Sequence, residues 1–386
     1  MQEDIYFSEE HKMLQQMVRE FAQNEVRPMA QELDEKGEFP HDLVEKMSSL
    51  GLMGIPWEEK FGGTGMDTLA LVIAIEEIGK ECCSTAATLM AHTSLGTAPI
   101  AMFGTDDQKA KYLPDLASGK KIGAFGLTEP GAGSDAGNTK TQAVLKGDKY
   151  VVNGEKAFCT NAGVSSVLIF TAVIIEDGEE KGISAFVVDS NTEGISFNPP
   201  EKKMGWCASD TRSIFFKDMH ISKSSVLGNP EKGFKQFLQT LTSGRITIGA
   251  LSIGTAQGAF NRALAYSEER EAFGKSINGF QGISFKLSDM ITQIEAARHL
   301  VYHAAWKKDQ GKSVIHEASM AKLFSSEMAM KITTEAIQIF GGYGYIKEYD
   351  VERFFRDAKI LEIGEGTSEI QRMIISRGII KSVQSA

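Results

Sequence analysis

Cysteine is scarce in this sequence. Four cysteines occur in 386 residues: Cys82 and Cys83 are adjacent, whereas Cys159 and Cys207 stand alone. Proteins held together by disulfides carry denser, regularly spaced cysteines, so a disulfide scaffold is excluded. We expect buried, reduced thiols, which a reducing compartment favours.

Long apolar runs and a basic leader are also missing. No apolar run approaches the roughly 20 residues that a helix needs to cross a bilayer. The chain begins with the acidic run Met1-Gln2-Glu3-Asp4, whereas secretory and organellar signals begin with basic residues. The sequence therefore predicts a soluble, cytoplasmic protein without membrane insertion. A mature organellar form whose leader has been removed is the open alternative.

Positive charge is in deficit. Lys and Arg number 41 against 51 Asp and Glu, which gives a net charge of −10. Nucleic acid is therefore not expected as a partner, because binding a phosphate backbone needs an excess of Lys and Arg. A local basic group can still hold one phosphate-bearing ligand.

Several common catalytic motifs are absent. There is no Gly-x-Ser-x-Gly elbow of a hydrolase and no Gly-Lys-Ser/Thr phosphate loop. Residues 131–136 match the spacing of a dinucleotide fingerprint, but Gly137-Asn138 follows where that motif needs a helix. His299 and His303 have the spacing of a metal pair on a helix, but no third ligand lies nearby in the sequence. We therefore predict no metal site.

The periodicity of apolar residues divides the chain into three parts. From Ser8 to about Leu33, and again after Asn229-Pro230, apolar residues recur at helical spacing. Between them the period is close to two, as in strands. The run Tyr150 to Val152 precedes Asn153-Gly154, a strong hairpin signal, and residues 167–175 form a β-branched run. We predict an α+β protein with a helical domain at 1–121, an antiparallel β domain at 122–228 and a helical domain at 229–386.

Three glycine-containing segments stand out as candidates for chemistry. Residues 126–135 form a loop whose backbone N–H groups can face an anion, although an ordinary loop is equally consistent. Residues 340–345 fit a helix stop with an aromatic contact. In Gly364-Glu365-Gly366-Thr367 the carboxylate has little cover from its neighbours and can project into a cleft. Most loop glutamates, however, are simply solvated.

Taken together, these segments resemble the acyl-CoA dehydrogenase family, in particular its short-chain, butyryl-CoA-dehydrogenase-like members. The resemblance covers almost the whole chain and keeps the family order. It is carried by FGGTG (61–65), GLTEPGAGSD (126–135), KMGW (203–206), REAFGK (270–275), QIFGGYG (338–344), RDAK (356–359) and IGEGTSEIQR (363–372). It implies the acyl-CoA dehydrogenase fold: an N-terminal helical domain, a middle β domain and a C-terminal four-helix bundle.

The resemblance also implies FAD as cofactor, held between the β domain and the C-terminal domain. The matching flavin contacts are Phe125, Leu127, Thr128, Phe158, Thr160 and Thr367, and the FAD-phosphate positions are Gly133 and Ser134. The family often has Trp at the position of Phe158. Members are usually homotetramers, and the residues that would reach the FAD of a neighbouring subunit are Arg270, Phe273, Gln281, Gln338 and Gly342.

The reaction that the resemblance implies is α,β-dehydrogenation of an acyl-CoA thioester, with Glu365 as the base. Glu365 would take the α-proton, and hydride would pass from the β-carbon to flavin N5, giving a trans-2-enoyl-CoA. The backbone N–H of Glu365 and a ribityl hydroxyl of FAD would hold the thioester carbonyl. Positions that would contact substrate are Ser134, Thr242, Gly244, Arg245, Gly364 and Gly366. Electrons would pass to an electron-transfer flavoprotein, as in β-oxidation of fatty or other carboxylic acids.

Three departures from the family pattern bear on this assignment. Some members place the base just before the arginine that matches Arg245; here that residue is Gly244, which favours Glu365. Many straight-chain enzymes have Tyr before the base; Gly364 predicts a wider pocket for a branched or cyclic acyl group. Thr242 stands where Asp often contacts the CoA arm. A reductase running the same site backwards, an acyl-CoA oxidase and a nucleic-acid-binding relative are the alternatives.

Overall fold

The N-terminal third is helical in the computed structural model, which describes residues 5–384. Its helices are α1 Glu9–Phe21, α2 Arg27–Lys36, α3 His41–Ser49, α4 Thr68–Gly79, α5 Cys83–Ala91, α6 Ala98–Phe103 and α7 Asp106–Ala117. Ser8 caps α1 by accepting a hydrogen bond from the backbone N–H of His11. The helix predicted from Ser8 to about Leu33 is α1 and α2 joined by a π-helical turn at Ala22–Val26. Gly37, in the left-handed conformation, ends α2.

The middle of the chain forms one sheet and a few short turns. Its strands are β1 Gly123–Gly126, β2 Gln142–Lys146, β3 Lys149–Thr160, β4 Val167–Glu176, β5 Glu179–Asp189, β6 Ile195–Phe197, β7 Thr211–Ser222 and β8 Val226–Leu227. The order is β6-β7-β3-β2-β4-β5-β8, and β1 pairs with β4. Most pairings are antiparallel, as predicted, but β1 and β2 each run parallel to β4. The sheet is therefore mixed around β4.

The hairpin predicted at Asn153-Gly154 is wrong. Strand β3 continues through these residues, and the register against β7 shifts between Val152 and Gly154, which is the sign of a bulge. The side chains of Asn153 and Asp218 bond across the two strands (Nδ2 to Oδ1, 3.2 Å). A Cβ at Gly154 would lie 2.6 Å from the Thr141 backbone, so glycine permits a close approach here and makes no turn.

The C-terminal part is a helical bundle. It consists of α8 Gly233–Glu269, α9 Gln281–Asp309, α10 Ile315–Phe340, α11 Val351–Ala358 and α12 Ser368–Gln384, with a small ribbon of β9 Glu271–Ala272 and β10 Lys275–Ser276. Helices α8, α9 and α10 pack on one another, and α11 and α12 pack on α10. The domain limits at 121/122 and 228/229 remain predictions, although β1–β8 all lie between them.

One hydrophobic core joins the two helical regions, and the sheet has its own. The first core includes Val72 and Ile75 of α4 together with Ile253 of α8 and Val301 of α9. A smaller cluster joins Ile169 of β4 to Phe237 of α8. The carboxyl end of β1 is thereby placed beside the first turns of α8. Among residues 5–384, no helix is both long enough and apolar enough to cross a membrane.

Candidate active site

The loop between α11 and α12 carries Glu365 in an unusual backbone conformation. Glu365 has φ +54°, and Gly366 follows with φ +99°. A positive φ is uncommon for a residue with a side chain and persists only where the surroundings hold it. The loop therefore directs the Glu365 side chain by constraint from its neighbours.

The Glu365 carboxylate lies directly over Gly244 of α8. A Cβ built on Gly244 would sit 1.6 Å from Oε2 of Glu365, so any larger residue there would displace the carboxylate from this position. Both carboxylate oxygens are buried and, within residues 5–384, have no hydrogen-bond partner. The residue as a whole is only half-buried. A buried, unpaired carboxylate is costly, and such exceptions are concentrated at functional sites.

Burial raises the pKa of Glu365 to about 7, and the nearby cations Arg245 and Lys322 oppose that rise. Arg245 is 5% exposed, and its Nε has no partner in the described structure. Burial lowers the pKa of Arg245, while Glu365 opposes this shift. A carboxyl group poised near neutral pH is suited to take and return a proton.

Two side chains that the sequence reasoning passed over hold the same loop. Lys322 of α10 donates from Nζ to the carbonyl oxygen of Gly366 (2.9 Å), and Gln371 of α12 donates from Nε2 to the same oxygen (2.9 Å). The available signal was weak: Lys322 is a lone cation in the run Ala318-Ser319-Met320-Ala321-Lys322-Leu323.

The predicted flavin contacts of the β domain lie at the end of β1 and on β3. Phe125 stacks on Phe237 of α8, with ring centroids 4.3 Å apart. The carbonyl of Thr128 accepts from the N–H of Ala157 (2.8 Å). Because Phe237 and Gly244 are seven residues apart, they share one face of α8. These contacts bring the β1 end and the Glu365 loop to the same helix.

A buried ion pair between Lys156 and Glu129 holds the segment that follows β1. Lys156 Nζ lies 2.7 Å from Glu129 Oε1 and also donates to the carbonyl of Leu127 (3.3 Å) and to Thr171 Oγ1 (3.1 Å). Burial lowers the pKa of Lys156 to about 8, although Glu129 opposes this. The backbone around Thr128 is thus tied to β3 and β4.

The remaining β-domain positions leave room for a large ligand. Phe158 is 69% exposed with φ +55°, and Thr160 is half-buried at the end of β3. Gly133 and Ser134 are exposed, and a Cβ built on Gly133 meets nothing within 4 Å. An exposed aromatic ring can stack on a flavin, and an exposed glycine loop lets its backbone approach phosphates closely, so both features are compatible with FAD.

Residues predicted to serve a neighbouring subunit lie at the far end of α8. Arg270 and Gly342 line one cavity of about 450 Å³, and the Arg270 guanidinium lies 5.7 Å from the Tyr343 ring centre. Phe273 is 97% exposed, and Gln281 and Gln338 are exposed on α9 and α10. From Gly244 to Arg270 the helix rises by roughly 39 Å. These residues are therefore remote from Glu365 of their own chain.

Thr242 and Thr367, predicted to contact substrate and cofactor, are half-buried, and each hydroxyl makes a hydrogen bond to a nearby backbone group. Thr242 Oγ1 donates to the carbonyl of Leu238 (3.2 Å), within α8. Thr367 Oγ1 accepts from the N–H of Ile370 (3.3 Å), at the start of α12. Gly364 borders open space, since a Cβ there would meet only the Ile360 carbonyl oxygen, at 3.4 Å.

The two histidines at metal-pair spacing contact aromatic rings. His299 lies 6.3 Å from the ring of Tyr6, and His303 lies 6.1 Å from that of Trp306. Across residues 5–384, no group of three or more His, Cys, Asp or Glu side chains is arranged to hold a metal ion.

This chain is similar to known proteins over nearly its whole length. Family models for the N-terminal, middle and C-terminal domains of acyl-CoA dehydrogenases match residues 8–120, 124–219 and 231–380. The short-chain-specific acyl-CoA dehydrogenase of Clostridium acetobutylicum is 48% identical over 98% of this chain and 100% of its own length. The caffeyl-CoA reductase–Etf complex subunit CarC of Acetobacterium woodii is 43% identical over the same shares.

A solved structure agrees. Butyryl-CoA dehydrogenase from Megasphaera elsdenii superposes with a TM-score of 0.95 at 42% identity, covering 98% of this chain and 100% of that one. Domain order, site geometry and these similarities point the same way. The chain belongs to the acyl-CoA dehydrogenase family, whose members are FAD-dependent oxidoreductases.

Proposed function

We propose that this enzyme removes hydrogen from the α and β carbons of a short-chain, branched or cyclic acyl-CoA thioester, with Glu365 as the base. The observation that carries the proposal is the buried Glu365 carboxylate, unpaired in the described structure and seated over Gly244. Its pKa of about 7 leaves much of it deprotonated at neutral pH, ready to accept a proton.

The chain's own groups account for the proton step. Glu365, on the loop between α11 and α12, takes the α-proton of the acyl chain at a carboxylate oxygen. The backbone N–H of Glu365 makes no hydrogen bond within residues 5–384 and is free to donate to the thioester carbonyl as negative charge develops there. Arg245 stabilises the ionised base before the transfer. FAD, when bound, supplies the acceptor for the hydride.

The role of Glu365 is tested by Glu365→Gln. The amide keeps the shape but cannot take a proton, so the variant should retain bound yellow flavin and lose flavin bleaching by acyl-CoA under anaerobic conditions. Glu362→Gln, three residues earlier and paired with the surface Lys359, is the matched control and should bleach normally. Normal bleaching by Glu365→Gln would rule out this base.

The width of the acyl pocket is proposed from Gly364. The space beside it is open, and a phenol ring there would narrow the region next to the base. We expect wild type to accept branched or cyclic thioesters, and Gly364→Tyr to shift kcat/KM towards butyryl-CoA. A panel of straight, branched and cyclic acyl-CoA thioesters, scored by anaerobic flavin bleaching, measures this. An unchanged preference in the variant would contradict the proposal.

Electron-transfer flavoprotein is the proposed electron partner. The CarC relative is named as a subunit of a reductase–Etf complex. The same name favours a second candidate function: reduction of an enoyl-CoA by the same site. Comparing rates with oxidised flavoprotein plus acyl-CoA, and with reduced flavoprotein plus enoyl-CoA, separates the two directions. Rapid peroxide formation in air would instead indicate an oxidase.

A homotetramer is the proposed assembly, with each FAD shared between two subunits. The remote set around Arg270 supports this, since it is exposed and lies roughly 39 Å along α8 from the base of its own chain. Binding of nucleic acid is not part of the proposal, and a cytoplasmic location stays a prediction.

A further inference from the structure

The strained backbone at Glu365 is held by hydrogen bonds from two other helices. The carbonyl of Gly366 accepts from Lys322 Nζ and from Gln371 Nε2, each at 2.9 Å. Gln371 Nε2 also approaches the carbonyl of Glu365, at 3.4 Å. Both peptide groups that follow the base are therefore held from outside the loop.

Lys322 is placed unusually for a lysine. It is 0% exposed, and no Asp or Glu of residues 5–384 lies within ion-pair distance of it. Burying a charged group without an ion pair is costly. A neutral hydrogen-bond donor could hold the Gly366 carbonyl at a lower desolvation cost. The hydrogen bond alone therefore does not explain why this residue is a lysine.

Glu365 supplies that reason. Burial lowers the pKa of Lys322 to about 8, and the negative charge of Glu365 opposes this more than that of Glu362 or Glu327. Arg245, which also faces the base from α8, disfavours the charge on Lys322. The ammonium group thus holds the loop and lies in the field of the carboxylate on that loop.

We propose that Lys322 is a positioning residue for the base: it holds the Gly366 carbonyl and so fixes the left-handed backbone that places the Glu365 carboxylate over Gly244. Gln371 is the second donor of this clamp. The inference rests on the proposed role of Glu365. Lys322 itself touches neither the thioester nor the reacting atoms in this scheme.

The first test is Lys322→Met, compared with Lys322→Arg and with Lys331→Met, which changes an exposed lysine on the same helix. A small misplacement of a catalytic group lowers rate by about 10- to 100-fold. We expect such a loss in kcat for Lys322→Met, with KM nearly unchanged, and none for Lys331→Met. Rates are expressed per bound FAD, so that a loss of cofactor is not counted as a loss of catalysis.

The pH profile separates positioning from general support of the fold. Removing a nearby cation should raise the pKa of Glu365, so the acid limb of kcat should move to higher pH in Lys322→Met. Lys322→Arg keeps the charge, so the acid limb of its kcat profile should lie close to that of the wild type. The contrary result is a Lys322→Met variant in which only the unfolding temperature falls, with kcat per FAD and the acid limb of the kcat profile unchanged. That result would show that Lys322 only supports the fold, and it would overturn the proposal.

Hydrogen exchange tests the clamp independently of the proposed reaction, because it requires no turnover. Hydrogen exchange in the FAD-loaded protein should quicken in the peptide spanning residues 364–371 in Lys322→Met, and not in Lys331→Met. If none of the acyl-CoA thioesters bleaches the flavin of the wild type, the proposed function fails. Faster hydrogen exchange in Lys322→Met would still support the clamp in that case. Should Lys322→Met not fold, Gln371→Met removes the other donor and should quicken the same peptide. Unchanged exchange in the variant that folds would overturn the clamp.

Discussion

At the scale of single residues, the site depends on two neighbours that lie far apart in sequence. Glu365 alone is a glutamate between two glycines, and Gly244 alone is one small residue in a long helix. Together they bury a carboxylate that no side chain of the described structure neutralises by a hydrogen bond. The proposed chemistry depends on this pairing rather than on either residue alone.

Gly244→Ala tests the pairing. The added Cβ would lie 1.6 Å from Glu365 Oε2, so the carboxylate must move away and flavin bleaching should slow by about 100-fold. Gly282→Ala, in a helix where a Cβ meets nothing within 4 Å, is the control. Stopped-flow bleaching of both FAD-loaded variants measures the effect; equal rates would contradict this geometry.

The raised pKa of Glu365 also predicts a pH-dependent stability. The native carboxyl binds its proton more tightly than the unfolded one, so stability falls as pH rises from about 4.5 to about 7. Glu365→Gln removes this loss and should stabilise the enzyme at pH 8, by at most about 3 kcal/mol, and hardly at pH 5. Thermal unfolding at the two pH values measures it. A variant less stable than wild type at pH 8 would contradict the unpaired state of the carboxylate.

At the scale of elements, residue patterns predicted the main helices and the strand β4, but the local turn signal at Asn153-Gly154 was wrong. Apolar residues at helical spacing placed α1, α8, α9 and α10, because one face of each helix packs on a core. The Asn153-Gly154 signal failed because pairing of β3 with β7 over many residues outweighs a local turn preference. The strand instead absorbs the two residues as a bulge.

A buried ion network joins the N-terminal helices to the bundle. Glu76 of α4 accepts from Arg298 Nε (3.1 Å) and from the Tyr302 hydroxyl (2.8 Å), both on α9, and lies 3.3 Å from Lys80. Burial alone would raise the pKa of Glu76, but the charges of Arg298 and Lys80 with these hydrogen bonds lower it to about 2. The stability that this ionised group contributes is present above pH 4.5 and is lost as pH falls towards 2.

Glu76→Gln should therefore loosen the packing of α4 on α9. Removing one member leaves buried cations uncompensated, at a cost of about 3–5 kcal/mol. We expect a lower unfolding temperature at pH 7, with a smaller difference from wild type near pH 2 to 3. The exposed Glu32→Gln, whose partner is Lys36, is the control and should unfold like wild type. Equal unfolding temperatures for the two variants at pH 7 would contradict the network.

At the scale of the whole molecule, the residues proposed to hold FAD form two separate groups within one chain. Phe125 at the end of β1 and the Glu365 loop both contact the N-terminal half of α8, whereas Arg270 directly follows its last residue. Within one chain, roughly 39 Å of helix separates the two groups. The proposed tetramer explains both parts by pairing each with its counterpart on a neighbour.

Arg270→Glu tests this sharing of the cofactor. Reversing the charge should repel FAD phosphates, so the purified variant should hold much less flavin although Glu365 and β1–β3 of its own chain are unchanged. Flavin absorbance per chain and the mass in solution measure the two effects; wild type should have the mass of four 42.1 kDa chains and one FAD per chain. Full flavin content in Arg270→Glu would contradict the arrangement.

The sequence by itself determined the helix–strand–helix order and the family, and it singled out Glu365 as the proposed base, because periodicity and ordered motifs are local and readable along the chain. The tertiary structure decided what surrounds the base. It places Gly244 beneath the carboxylate, and Lys322 and Gln371 behind the loop, from positions up to 121 residues away in the chain. Burial of a carboxylate is a property of packed helices, so no stretch of sequence around Glu365 could have revealed it.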